Sequence, residues 1–180
     1  MGKLYTEITP ELQTFIAQQQ MFFTATAVAD SRINLSPKGI DTFRCLDKHT
    51  VCYLDLTGSG NETAAHLAAD GRITIMFCAF AGKPWILRLY GRGEVIQLDT
   101  PRGGELHALI GSIPGERHII LATIDSAQTS CGMAVPRYEF QQQREELIIW
   151  ARKKGDDGLN EYRREKNSVS IDGLPTGLRD

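Results

Sequence analysis

A strand, a turn with two glycines and a helix follow one another in the segment Tyr53-Leu-Asp-Leu-Thr-Gly-Ser-Gly-Asn-Glu-Thr63. The helix is predicted over Asn61–Ala69, and Ser59 and Glu62 have the spacing of a capping box. The two glycines would let a ligand approach the backbone closely, and the free N–H groups at a helix start favour phosphate. A capped turn without a ligand explains the same residue types equally well. The segment alone therefore leaves both interpretations open.

Apolar or alternating runs on both sides of this segment predict strands, and the short turns between several of them favour antiparallel neighbours. The predicted strands are Met21–Ala29, Arg32–Leu35, Thr42–Leu46, Val51–Leu56, Ile73–Phe80, Ile86–Leu98 and Ile119–Ser130. Gly91 and Gly93 indicate a bulge or bend in the sixth. The pattern predicts a mainly β fold, an antiparallel barrel of about six or seven strands with peripheral helices.

Three further helices are expected around this barrel. The first begins at Thr9 and Pro10, the second covers Pro101–Gly111, and the third covers Arg144–Lys154. Gly155 is expected to end the third helix, whose acidic residues come first and basic residues last.

The remaining residues, 156–180, are polar with a few apolar anchors. We expect a short helix over Leu159–Lys166 and an extended arm over Ser168–Leu174. The arm is expected to pack on the barrel or to lie across a partner subunit and help to cover the cofactor cleft. The sequence thus divides into a barrel domain, residues 1–155, and a C-terminal arm, residues 156–180.

Charge and composition exclude several classes of protein. The 180 residues include 20 Lys and Arg against 22 Asp and Glu, a net charge of −2, which argues against nucleic-acid binding. No apolar run approaches the length of a membrane span, and the N-terminus lacks a signal-peptide core. We therefore expect a cytoplasmic protein without a membrane partner.

Common catalytic and metal-binding motifs are missing from the sequence. The glycine turn lacks the third glycine of a dinucleotide fingerprint and the Lys-Ser/Thr of a P-loop, and no Gly-x-Ser-x-Gly elbow occurs. No C-x-x-C pair and no histidine pair at helical spacing suggest a metal site. The cysteines, which lie in apolar runs, are expected to be reduced and structural: Cys45, Cys52, Cys78 and Cys131.

Two other stretches are candidate ligand contacts. In Ile33-Asn-Leu-Ser-Pro-Lys-Gly39, alternate polar residues would share one strand face, and the lysine could supply a positive charge to a phosphate. A solvated edge strand is the competing interpretation. Gln128–Pro136 ends a strand in small and polar residues, where a ring system or another chain could approach. Arg88 and Arg92 are either ligand contacts or ordinary surface bases.

Taken together, three stretches resemble the pyridoxamine 5′-phosphate oxidase-like proteins: Asn34-Leu-Ser-Pro-Lys-Gly39, Tyr53–Thr63, and Ser130-Cys-Gly-Met-Ala-Val-Pro136. The tail, Trp150-Ala-Arg-Lys-Lys-Gly155 and Ser170-Ile-Asp-Gly-Leu-Pro175, resembles an uncharacterised branch of that group. The resemblance implies an FMN-binding split barrel and a homodimer with the cofactor cleft between subunits.

The resemblance also implies cofactor-binding positions, although the basic residues differ. Lys38 is kept, Asn34 stands where the oxidases have Arg, and Asn61-Glu62-Thr63 stands where they have Ser-Arg-Lys. The candidate FMN contacts are Asn34, Ser36, Lys38, Asp55, Thr57, Ser59, Asn61 and Thr63.

The function expected from this resemblance is an FMN-dependent oxidoreductase of unknown substrate, in which no side chain is assigned as catalytic. The Arg-x-His pattern of the vitamin B6 oxidases is absent near the C-terminus, so true pyridoxamine phosphate oxidation is not expected. Two alternatives remain open: a non-enzymatic barrel that stores or senses flavin, haem or another planar ligand, and a dimeric scaffold without a cofactor.

Overall fold

Eight strands form one curled antiparallel sheet in the computed structural model, which describes residues 2–178. The elements, in chain order, are β1 Lys3–Tyr5, α1 Pro10–Ala17, β2 Phe22–Thr26, β3 Asn34–Lys38, β4 Phe43–Cys45, β5 Thr50–Leu56, α2 Glu62–Ala69, β6 Arg72–Cys78, β7 Trp85–Ile96, α3 Pro101–Ile110, β8 Glu116–Cys131 and α4 Glu146–Lys166. The strand order is β3-β2-β6-β7-β8-β5-β4, and β1 pairs with β8. The predicted mainly β barrel class is confirmed.

The inner face of the curled sheet carries the main core. Alternate residues of β8, such as Ile120 and Ile124, lie in this core, whereas Ile119 packs on the outer face with Leu106 of α3. At the centre, aromatic rings make edge contacts at centroid distances of 5.0–5.3 Å: Phe22–Phe43, Phe22–Tyr53 and Phe43–Phe77. Because α3 covers its other face, β5 is buried on both sides, which explains its nearly continuous apolar sequence.

The irregularity predicted at Gly91 of β7 is present. The pairing with β8 shifts register between Tyr90 and Gly91, and the extra residue is Asp125 of β8. A Cβ added at Gly91 would lie 2.0 Å from the Thr123 carbonyl oxygen, so only glycine fits this close approach. The start of α1 also matches its sequence signals, since the Thr9 hydroxyl accepts a hydrogen bond from the Leu12 N–H at 3.4 Å.

The C-terminal region differs in part from the expectation. α4 covers both predicted helical pieces, and Gly155 (φ 65°, ψ 176°) breaks it between them. The prediction of an extended arm over Ser168–Leu174 is wrong, because this stretch folds back into a turn closed by the bridge between Val169 and Pro175. Gly173 adopts φ +81° there, and the Ser170 hydroxyl accepts the Leu174 N–H at 3.0 Å, so local bonds replace an extended path.

Among residues 2–178, no helix combines the length and the apolar composition needed to span a lipid bilayer.

Candidate functional site

A polar cleft of about 240 Å³ lies where the inner face of β3 meets the end of β5 and the start of α2. Seven of the eight predicted contact residues line it: Asn34, Ser36, Lys38, Asp55, Ser59, Asn61 and Thr63. The eighth, Thr57, is fully buried in the same turn. The structure therefore brings two stretches that are separated in sequence into one site.

The alternation of β3 explains how its polar residues reach the cleft. Ser36 pairs with Thr24 of β2 and Asn34 pairs with Thr26, while Leu35 between them is exposed on the opposite face. The Asn34 amide nitrogen donates to the Thr26 hydroxyl at 3.1 Å and to the Thr63 hydroxyl at 3.0 Å. Asn34 therefore ties β3 to α2 and has a structural role at the edge of the cleft.

The Asp55 carboxylate is the centre of a charged cluster beneath the cleft. Its oxygens lie 2.7 Å from Lys38 Nζ, 2.5 Å from Arg117 Nη2 and 3.3 Å from His118 Nε2. Burial opposes ionisation of Asp55, but Lys38 and Arg117 outweigh that effect and hold its pKa well below the usual range. Burial also lowers the pKa of His118, so at pH 7 the cluster contains two cations, one anion and a neutral imidazole.

Arg117 reaches this cluster because β8 is irregular at that point. Asp55 pairs with His118, but Leu56 pairs with Glu116, so Arg117 is the extra residue of a β-bulge. Regular alternation would place Arg117 on the outer face with Ile119. Its side chain instead contacts Asp55 on the inner face, so the bulge places Arg117 in the site.

Arg117 and His118 were not among the residues predicted from the sequence. The available signal was a pair of basic residues directly before the apolar run that forms β8. A third missed residue, Arg163 of α4, donates from Nε to the Thr57 hydroxyl at 2.8 Å and from Nη2 to the Glu116 carbonyl at 2.6 Å. These arginines supply basic groups that the aligned motif positions lack.

The glycine turn is open toward the cleft. Neither Gly58 nor Gly60 has a positive φ, and a Cβ added at Gly58 would meet no atom within 4 Å. Asn61 is the N-cap of α2 but makes no side-chain capping bond, so the first N–H groups of the helix, which have no intrahelical acceptor, are not capped by it either. Among residues 2–178, Asn61 Oδ1 and Arg117 Nε are buried atoms without a hydrogen-bond partner.

The capping box predicted from Ser59 and Glu62 is wrong. Ser59 precedes the N-cap residue, and the Glu62 carboxylate accepts the backbone N–H of Ile171 at 3.0 Å instead. The acid that replaces a basic residue of the oxidase motif is thus bound to the C-terminal turn. In the same turn, Asp172 forms an ion pair with Arg32, so the described part of the arm contacts its own barrel.

The third candidate stretch, Gln128–Pro136, does not line the cleft. The Arg88 guanidinium donates to the hydroxyl of Ser130 in this stretch at 3.0 Å. Arg92 lies elsewhere and donates to the Asp70 carbonyl at 2.9 Å. Both arginines therefore have structural partners.

The thiols also lie outside the cleft. Cys131 is exposed, unlike the buried thiol expected, because it is the last residue of β8. Burial raises the pKa of Cys45 and of Cys52 to about 11, so both remain protonated thiols. Across residues 2–178, no three His, Cys, Asp or Glu side chains are grouped to hold a metal ion.

A larger groove of about 960 Å³ lies beyond the far end of β3. It is bordered by the end of α1, by Pro37–Ile40 and by the irregular segment Tyr138–Arg144. Lys38 lines both this groove and the polar cleft, so the two spaces meet at that lysine.

Comparison with known proteins gives a family and a fold. The family model described as pyridoxamine 5′-phosphate oxidase matches residues 8–131. The pyridoxamine 5′-phosphate oxidase family protein ustO of Aspergillus flavus is 35% identical over 203 aligned residues, covering 100% of this chain and 81% of that protein.

Two solved structures share the fold at low sequence identity. HupZ of Group A Streptococcus gives a TM-score of 0.51 at 21% identity, covering 65% of this chain and 89% of that chain. The FAD binding protein from Mycobacterium smegmatis gives a TM-score of 0.51 at 12% identity, covering 70% of this chain and 97% of that chain.

Proposed function

Because this chain belongs to the pyridoxamine 5′-phosphate oxidase family, we propose that it binds FMN, with the phosphate group in the polar cleft, and acts as a flavin-dependent oxidoreductase. The observation that carries the proposal is the set of unused donors at the cleft. The start of α2 has free N–H groups, the open Gly58 leaves room beside them, and Lys38 and Arg117 line the same cleft. Such groups suit a phosphate.

The charges of the cluster support an anionic ligand. Lys38 and Arg117 are both bonded to Asp55, which leaves one positive charge in excess beside the cleft. Arg163, half-buried behind Thr57, adds a second. The Glu62 carboxylate also lines the cleft, where it accepts the Ile171 N–H. Counted with Asp55 against Lys38, Arg117 and Arg163, it leaves one net positive charge for a phosphate group to compensate.

The size of the cleft indicates which part of FMN it would hold. Ligand pockets usually enclose about 300–1,000 Å³, so about 240 Å³ suits the phosphate end rather than the whole cofactor. We propose that the ring system lies between two subunits of a homodimer. Exposed apolar residues beside the Arg32–Asp172 ion pair would suit such an interface: Ile33, Leu35, Val169 and Ile171.

When bound, FMN would supply the hydride or electron transfer. The residues of this chain would bind the phosphate and hold the cofactor in place: the turn from Gly58, the start of α2, Lys38 and Arg117. No side chain is assigned as catalytic, and vitamin B6 oxidation is not proposed, since no Arg-x-His pattern follows α3. The four free thiols suit a reducing compartment, and we propose a cytoplasmic location.

An absorbance spectrum of the purified protein, followed by mass spectrometry of the released ligand, tests the proposal. FMN bound and bleached by NADH or NADPH is the expected result. Bound flavin that no physiological reductant bleaches would favour a storage protein, and a Soret band would favour haem. A preparation that stays colourless even after incubation with FMN would leave only the scaffold interpretation.

A further inference from the structure

Asn167 is the C-cap residue of α4 and is completely buried at the back of the glycine turn, although asparagine is mostly an exposed residue type. Its amide nitrogen donates to the Gly58 carbonyl at 3.1 Å, and its amide oxygen accepts Arg117 Nη1 at 2.7 Å. One side chain therefore contacts both the turn and the arginine to which we assign phosphate binding.

The backbone of Asn167 is fixed as firmly as its side chain. Its N–H donates to the Arg163 carbonyl at 2.8 Å and ends the helix. Its carbonyl accepts the Thr176 hydroxyl at 2.6 Å, which joins it to the far side of the C-terminal turn. The Asn61 amide nitrogen lies 3.5 Å from the same carbonyl oxygen. The position of Asn167 is thus defined by elements on both sides of it.

We propose that Asn167 is a positioning residue for phosphate recognition, an inference that rests on the proposed function. It fixes the guanidinium of Arg117 without adding a negative charge to the cleft. It also supplies a hydrogen-bond partner for the Gly58 carbonyl, whose oxygen would otherwise repel a phosphate group nearby. The C-terminal region would then complete the binding site of its own chain, and not only cover it.

The competing interpretation is that Asn167 only anchors the C-terminal turn. The two roles differ in their effect on the phosphate. A loss of anchoring destabilises the protein and weakens FMN and riboflavin alike, whereas a loss of positioning weakens FMN selectively, because riboflavin has no phosphate. The informative quantity is therefore the ratio of the two dissociation constants within each variant.

Asn167→Ser is the main test variant, since it removes the amide that contacts Gly58 and Arg117 without adding a charge that would itself repel phosphate. Asn167→Thr is a second variant in case the first does not fold. Asn160→Ser is the matched control, because exposed Asn160 lies in the same helix, does not line the cleft, and its replacement by Ser leaves the charge of Arg163 unchanged. Affinities are measured by quenching of flavin fluorescence, and folding is checked by Tm.

We expect the preference for FMN over riboflavin to fall about tenfold or more in Asn167→Ser, as for the loss of a charge-assisted hydrogen bond. Asn160→Ser should keep the wild-type ratio. A wild-type ratio in a folded Asn167 variant would overturn the inference while leaving the proposed function intact. A wild-type protein that binds both flavins equally would refute phosphate recognition itself, and the inference would fall with it.

Discussion

Replacing Asp55 by Asn tests whether the charged cluster is organised as described. The substitution preserves size but removes the shared counter-ion of Lys38 and Arg117, whose side chains are 21% and 4% exposed. Removing one partner of a buried ion pair costs about 3–5 kcal/mol. For a domain of this size, each kcal/mol shifts Tm by roughly 2–4 °C. We therefore expect Asp55→Asn to lower Tm by roughly 6–20 °C.

The assay is thermal or urea unfolding in a buffer without phosphate or sulfate. Asp125→Asn is the control, because Asp125 is an exposed residue of β8 without an ion pair among the described residues. Adding inorganic phosphate should stabilise Asp55→Asn more than wild type, since its uncompensated cations border the cleft. A loss below about 1 kcal/mol, the value of a surface ion pair, would refute the burial argument. If inorganic phosphate stabilises Asp55→Asn and wild type equally, the cations do not face the cleft.

Three further substitutions probe the same site. Lys38→Ala should weaken FMN binding by about 1.5–3 kcal/mol, because one charged hydrogen bond is lost, and should leave riboflavin binding unchanged. Exposed Lys48→Ala is the control in the same fluorescence titration. An equal loss of affinity for both flavins would show that Lys38 does not touch phosphate. Gly58→Val should leave the chain folded, since Gly58 has no positive φ and a Cβ there meets no atom within 4 Å, yet abolish FMN retention in gel filtration. Retained FMN would contradict close approach at this turn. Burial holds the pKa of His118 below its ordinary 6.5, so the unfolded chain binds the proton first and stability should fall as pH drops below 6.5. Urea midpoints between pH 8 and 5 should depend less on pH in His118→Gln than in wild type, and identical slopes would disprove this origin.

Local sequence signals were sufficient for most elements of the fold. Thr9 and Pro10 mark the start of α1, and the glycine at position 91 marks the register shift between β7 and β8, because caps and close approaches restrict residue type locally. Strand β1 was missed, since Lys3–Tyr5 is only three residues long and is defined by its pairing with β8.

Only those parts of the candidate site that lie within one continuous stretch of sequence could be predicted. The stretches around Lys38 and Gly58 carry polar residues and glycines that indicate a ligand turn. Arg117 could not be assigned, because its inward position depends on a bulge created by the pairing of β5 with β8. The capping box failed for a similar reason. The Glu62 carboxylate bonds to Ile171, a partner 109 residues away whose proximity no local pattern reveals.

A crystal structure of the protein with bound FMN would show where the phosphate lies. We expect the phosphate oxygens within hydrogen-bond distance of the backbone N–H groups at the start of α2 and of Arg117 or Lys38. We also expect the ring system outside the polar cleft, against a second subunit. A phosphate bound instead in the larger groove beside Tyr138–Arg144, with the glycine turn free of ligand, would refute phosphate binding in the polar cleft.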